Sequence, residues 1–161
     1  MESEISSVLS WHRFWTMECQ YWFDVDTNRG ETAHEFYTED GVFDIGTPGS
    51  RYEGRERIKG FYDRRRSLGR RTTIHSITNF EMLHVSDRDA SARCLMSLIG
   101  ADGHPPQQSQ PAILIASSVN SYVKGTDGRW YVQARIFEAL FTDPAGLPMS
   151  RINSALSAPS S

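Results

Sequence analysis

The stretch "TTIHSITNFEML", Thr72 to Leu83, decides the fold class. Its threonines, isoleucines and phenylalanine fit a pleated surface better than a helix, where β-branched side chains lose χ1 freedom. Three further segments of the same kind follow: "ASARCLMSLIG" (Ala90 to Gly100), "AILIASSVNSYV" (Ala112 to Val123) and "RWYVQARIFEALF" (Arg129 to Phe141). "SDRD", "ADGHPPQQSQP" and "KGTDG" separate them, and such Gly-, Pro- and Asp-rich links make hairpins. The second half therefore predicts an antiparallel meander.

Working back toward the N-terminus, the periodicity changes. Ile5, Val8, His12, Trp15, Cys19, Trp22 and Asp26 follow one another in steps of three and four, which places them on one face of a helix over Ser6 to Asp26. A carboxylate closing an apolar stripe sits either in water at a helix end or in a pocket. Asp24 is off the stripe and is expected to face water, whereas Trp22, one turn before Asp26, is a candidate pocket wall. Asn28-Arg-Gly-Glu31 has capping-box form and predicts a second helix through Phe36 or Tyr37. "TEDG" (Thr38 to Gly41) reads as a turn and "VFDI" (Val42 to Ile45) as a short strand. A third helix is expected from about Gly54 through "RERIKGFYDRRR", with Ile58, Phe61 and Tyr62 inward. Helices first and strands after is an α+β layout. Residues 1–142 are expected to form one domain and 143–161, small and polar, a loosely held tail.

The chain has 161 residues, 39% of them hydrophobic and 23% charged, which suits one globular domain rather than a disordered segment. A net charge of -3 gives no general attraction to nucleic acid or anionic membranes. The run "RRRSLGRR" (Arg64 to Arg71) falls at the end of the third helix, where cations offset the dipole, and is expected to be solvated. No apolar run approaches the roughly 20 residues of a membrane span, and no leader pattern is evident. Cys19 and Cys94 are expected as reduced, buried thiols, which suits a cytoplasmic setting. No metal or nucleotide motif is present, so the expectation is a site without metal or cofactor, working through side chains alone. His104 lies in the Pro/Gln loop, a position for a lid or an oligomer contact.

Three helices followed by a curled antiparallel sheet resemble the nuclear transport factor two-like, or SnoaL-like, cone fold. "YWFDVDTNRGETAHEFYTEDGVFDIG", "YEGRERIKGFY", "RTTIHSITNFEM" and "DGRWYVQAR" are similar, in that order, to segments of the family between about Trp11 and Phe141. The resemblance implies three N-terminal helices packed on a curved sheet that forms a cone. Asp26 and His75 stand where the Asp/His lyases of this superfamily carry a hydrogen-bonded pair; scytalone dehydratase, bile acid dehydratase and lindane dehydrochlorinase are of this type. In those relatives the histidine removes a proton from carbon while the aspartate orients it. Tyr21 matches a tyrosine that polarises or protonates an oxygen, although five helical residues turn it about 140° from Asp26. It has two possible roles, across the cone mouth or in packing. Ser118 and Asn120 resemble a Ser-x-Asn pair that holds substrate oxygens, and Arg135 stands where the dehydrochlorinase has a functional arginine. An outer sheet face is the alternative place for all three.

Departures accompany the match: Val25 replaces a tyrosine before the aspartate, and "ARCLMSL" lacks a second histidine. The resemblance implies a lyase of dehydratase type, acting on a small apolar, cyclic or aromatic molecule, and a homodimer or homotrimer. The same scaffold carries isomerases, cyclases, retro-aldol lyases and non-catalytic binding subunits.

Overall fold

The computed structural model describes residues 2–143; the tail expected from 143 lies, from 144 onward, outside the described residues. The elements are α1 (Glu2–Thr27), β1 (Tyr37–Asp44), β2 (Arg51–Glu53), α2 (Arg55–Ser67), β3 (Arg71–Val85), β4 (Asp89–Asp102), β5 (Leu114–Lys124) and β6 (Trp130–Thr142). The strands form one six-stranded sheet in the order β2-β1-β6-β5-β4-β3. The four long strands make the expected antiparallel meander, but β1 joins β6 in parallel, so the sheet is mixed.

Two α-helices form where three were expected. The capping box at Asn28 is not used, because Arg29 and Gly30 take positive φ values of 59° and 71° and no helix can start through them. Gly30 is obligatory there: a Cβ would lie 2.3 Å from the Tyr62 ring. Asn28 turns back to donate to Asp24 Oδ1 at 2.7 Å, and only a 3-10 turn, Ala33–Phe36, follows. Asp24 also accepts from the Thr32 amide and hydroxyl, so it fastens the crossing below α1 and is half-buried rather than free in water. "TEDG" is strand, not turn: β1 pairs with β2 and β6, and the Gly54 amide donates to the Gly41 carbonyl at 2.8 Å.

Strand alternation sorts the sheet into faces. Ala92, Cys94, Met96 and Leu98 of β4, with Leu114, Ala116, Ser118, Asn120 and Tyr122 of β5, are buried on the concave side. Register shifts in β3, one beside Asn79 (φ 52°), bend the long strands around that side. Helix α1 buries Phe14, Glu18, Tyr21 and Val25 against it, and α2 adds Ile58, Phe61 and Tyr62. This packed row of α1 is rotated from the stripe read in the sequence, whose Ile5 and Val8 are exposed. Among the described residues no helix is long and apolar enough to cross a membrane.

Candidate active site

The lower half of the sequence stripe faces space rather than core. Trp15, Cys19, Trp22 and Asp26 line an open cleft of about 640 Å³ between the end of α1 and β3. A second, inner cavity of about 60 Å³ lies behind it, walled mainly by Trp22, Val25, Phe43, Phe61, Met96, Leu114 and Phe137. Trp22, Arg71, Thr73 and His75 border both, so His75 stands where a wet opening meets an apolar interior.

Asp26 and His75 are in direct contact. β3 is the last strand of the sheet, and its outward amide at His75 donates to Asp26 Oδ2 at 2.8 Å. His75 Nδ1 lies 2.6 Å from Asp26 Oδ1, and Thr73 Oγ1 donates to the same oxygen at 2.8 Å. Burial by itself would raise the Asp26 pKa, but the hydrogen bonds and charge of His75, with Thr73, outweigh it and hold the carboxyl below its ordinary value. An ionised carboxylate only accepts, so the imidazole proton is on Nδ1 and the lone pair on Nε2. Burial is also the largest influence on His75. It lowers the pKa below 6.5 despite Asp26, which leaves the ring neutral at neutral pH. The Trp22 indole stacks on the imidazole, centroids 4.3 Å apart and planes 20° apart. Trp22 is 5% exposed, and its Nε1 is buried with no hydrogen-bond partner.

The other expected site residues assemble elsewhere. Arg135, 1% exposed, makes a two-pronged ion pair with Glu18, which is 0% exposed. The Arg135 guanidinium lies 4.1 Å from the centre of the Tyr21 ring and donates through Nε to Tyr37 Oη at 3.2 Å. Tyr21 Oη bonds Tyr37 Oη at 3.1 Å and Tyr62 Oη at 2.5 Å. Burial, then the neighbouring phenols, push the Tyr21 pKa well up, so it stays protonated. Ser118 donates to Asn120 Oδ1 at 2.7 Å, and Tyr122 donates to Glu18 Oε1 at 2.8 Å. Tyr21, Ser118, Asn120 and Arg135 thus face the concave side, not the outer one, yet border neither the cleft nor the inner cavity. They form a buried polar layer under α1. Beside Ser118 across the strand pair, burial pushes the Cys94 thiol up to about 12, so it is no thiolate nucleophile.

Sequence reasoning misses Glu18, Thr73, Arg65 and Arg71. The steps Phe14, Glu18, Tyr21 and Val25 are as regular as those of the stripe ending at Asp26, so an acid on the packed row was available as a signal. The arginine run is not solvated throughout, as expected of it: Arg65 donates to the Val25 carbonyl (3.2 Å) and Thr73 Oγ1 (2.9 Å), and Arg71 borders both spaces. His104 is exposed, while its neighbour Pro105 reaches the cleft. Among the described residues no group of three or more His, Cys, Asp or Glu side chains is placed to hold a metal ion.

A helix pair on a curled six-stranded sheet, with a pocket between α1 and β3, defines the cone class. The SnoaL-like domain family model matches residues 18–136, and the chain belongs to that family. No curated relative matches it. Among solved structures, a candidate scytalone dehydratase from Novosphingobium aromaticivorans is similar at a TM-score of 0.70 and 21% identity, over 89% of this chain and 98% of its own. An NTF2-like protein with a cystatin-like fold from the same organism gives 0.68 at 16% identity, over 98% and 95%. A Catenulispora acidiphila protein in complex with S-DNPA gives 0.66 at 16% identity, over 86% and 95%. At these identities the likeness is one of fold.

Proposed function

We propose that this protein is a cofactor-independent lyase of dehydratase type, with His75 as general base and Asp26 as its orienting partner. The observation that carries the reading is the 2.6 Å contact between His75 Nδ1 and Asp26 Oδ1 at the junction of an apolar cavity and an open cleft. His75 Nε2 takes a proton from a carbon beside a carbonyl. The electron pair of that C–H bond becomes the new C=C bond as a β-hydroxyl leaves. The imidazolium, stabilised by Asp26, returns its proton to the departing hydroxide, and water is released. General-base help of this kind supplies about 100- to 10,000-fold. Under this reading the unpartnered Trp22 Nε1–H is the donor for the carbonyl oxygen as it gains charge.

Under this reading the buried layer of Glu18, Arg135, Tyr21, Ser118 and Asn120 holds α1, and with it Asp26, at a fixed height above the sheet. A small apolar, cyclic or aromatic substrate fits the cavity walls. Both cysteines are free thiols, Cys94 buried and Cys19 half-buried, which supports a reduced, cytoplasmic setting. The test is incubation in D2O with cyclic β-hydroxy ketones, following enone absorbance and deuterium uptake. Wild type is expected to turn over or exchange at least one, and His75→Gln none. A ketone shown by NMR to contact His75 that neither eliminates nor exchanges a proton would overturn the reading.

A further inference from the structure

We propose that the substrate is a carboxylate, one oxygen of which sits in a pit walled by Arg29, Arg65, Arg66 and Arg71 while its apolar body enters the adjoining cavity. The proposal rests on the reading of that cavity as a substrate site. The pit, about 10 Å³, lies where the ends of α1 and α2 meet the start of β3, and its other walls are Val25 and Gly69. That volume is near the lower limit for one water-sized group, which suits a carboxylate oxygen and no larger head. Val25, Arg65 and Arg71 line both pit and cavity, so the two spaces adjoin.

The charges in the pit are unevenly answered. Arg71 pairs with Asp102 at 2.7 Å, and Arg66 pairs with Asp63. Arg29 donates to the Arg66 and Gly69 carbonyls at 2.7 and 3.0 Å, which accounts for it as a cap on the end of α2. Arg65 has no such account. Its two hydrogen-bond acceptors, the Val25 carbonyl and the Thr73 hydroxyl, are neutral, and the carboxylate that acts on it, Asp26, is linked to it through that hydroxyl, which donates on to Asp26 Oδ1. Burial pushes its pKa down, outweighing the opposite pull of the Tyr62 phenol and the Asp26 carboxylate. Arg66 in the same wall keeps Nη1 buried with no hydrogen-bond partner. Among the described residues no acid lines the pit or the inner cavity; Asp26, in the cleft, is already engaged by three donors.

A half-buried cation whose direct hydrogen-bond partners are all neutral has capacity left for an anion, and a guanidinium fork matches a carboxylate with two parallel bonds. The pit is concave and ion-sized in a chain of net charge -3, which disfavours a polyanion such as nucleic acid. Beyond Arg65, Arg71, Thr73 and His75 the walls are mainly apolar, Trp22, Phe43, Phe61, Met96 and Phe137 among them, so the body attached to the carboxylate is apolar. With the head group held at the pit, that body is held beside His75, and the acid's own position fixes which carbon meets the base.

The test compares isobutyrate with isobutyramide, equal in body and different in charge, by NMR titration at low ionic strength. Isobutyrate is expected to bind at least tenfold tighter and to shift the Arg65 Nε–H signal, which isobutyramide leaves in place. Arg65→Met is expected to remove the preference and Arg65→Lys to keep most of it. Equal affinity of the two probes, no measurable binding of isobutyrate, or a preference that survives Arg65→Met overturns the proposal. Should the variants fail to fold, the wild-type Arg65 signal still decides: no shift on adding isobutyrate overturns the proposal as well. His75→Gln is expected to leave the preference intact, so failure of the lyase reading and failure of this one are seen separately.

Discussion

Replacing Asp26 with asparagine exchanges one carboxylate oxygen for an amide nitrogen at nearly constant volume. Three donors converge on this carboxylate: His75 Nδ1–H and Thr73 Oγ1–H on one oxygen and the His75 amide on the other. If the asparagine oxygen faces Nδ1, its NH2 group points at the His75 amide, donor against donor. If it faces the amide, the NH2 group forces Nδ1 to become an acceptor and moves the imidazole proton to Nε2, where the base needs its lone pair. Bonds to a charged acceptor contribute about 1.5–3 kcal/mol each and neutral ones about 0.5–1.5. Losing one bond and weakening two amounts to about 2–3 kcal/mol once the partial exposure of the pair is allowed for. At this chain length that lowers Tm by about 5–10 °C. Loss of base orientation is expected to lower kcat/KM by about 100- to 10,000-fold. The assay that needs no substrate is ¹⁵N NMR of the His75 ring. Wild type is expected to show the Nδ1–H tautomer with a pKa below 6.5, and Asp26→Asn a still lower pKa, because the carboxylate that favours the imidazolium is gone. A wild-type pKa near 6.5 that the substitution leaves unmoved would refute the reasoning.

Other outcomes follow from the same geometry. Glu18→Gln strands the Arg135 guanidinium in the core and is expected to lower stability by about 3–5 kcal/mol in urea unfolding; a loss below about 1 kcal/mol would show the pair to be dispensable. Because the folded-state pKa of His75 is depressed, the unfolded chain binds the proton first. Tm should fall as pH drops below about 6.5 toward the folded value, and His75→Gln should flatten that part of the profile, with the Asp26 contribution lost only below about 4. The outer sheet face carries exposed Ile74, Ile99 and Val119, with Phe141 at the end of β6. Sedimentation at micromolar concentration is expected to show a dimer or trimer and Val119→Glu to shift it toward monomer; a monomeric wild type defeats this.

The four long strands were legible because β-branched runs between turn residues leave little else for the backbone to do. The helix count was not, since Asn28 and Glu31 have capping chemistry that Arg29 and Gly30 override through positive φ. β2, three residues long, is too short to show a pattern and exists through its pairing with β1. Asp26 could be singled out because it closes an apolar helical stripe, and His75 because it stands where the resembling lyases carry a strand histidine. Ser118 and Asn120 alternate correctly onto the concave face, but alternation says only which side, not how far along the cone a residue lies. Arg65 was hidden by its neighbours: the five arginines between 64 and 71 look alike in sequence, and only the position of α2 against β3 turns this one onto Thr73.

β3 closes the sheet on one side, and a bare strand edge is a rail on which another chain can grow. Asp26 occupies that rail near its start by holding the His75 amide at 2.8 Å, in a carboxylate also tied to the imidazole and to Thr73. A strand adding from outside would have to evict a charged group from three donors before it could pass. The chemistry of the pocket and the protection of the fold against templated association therefore meet in one side chain, and a change that disarms the first also exposes the second.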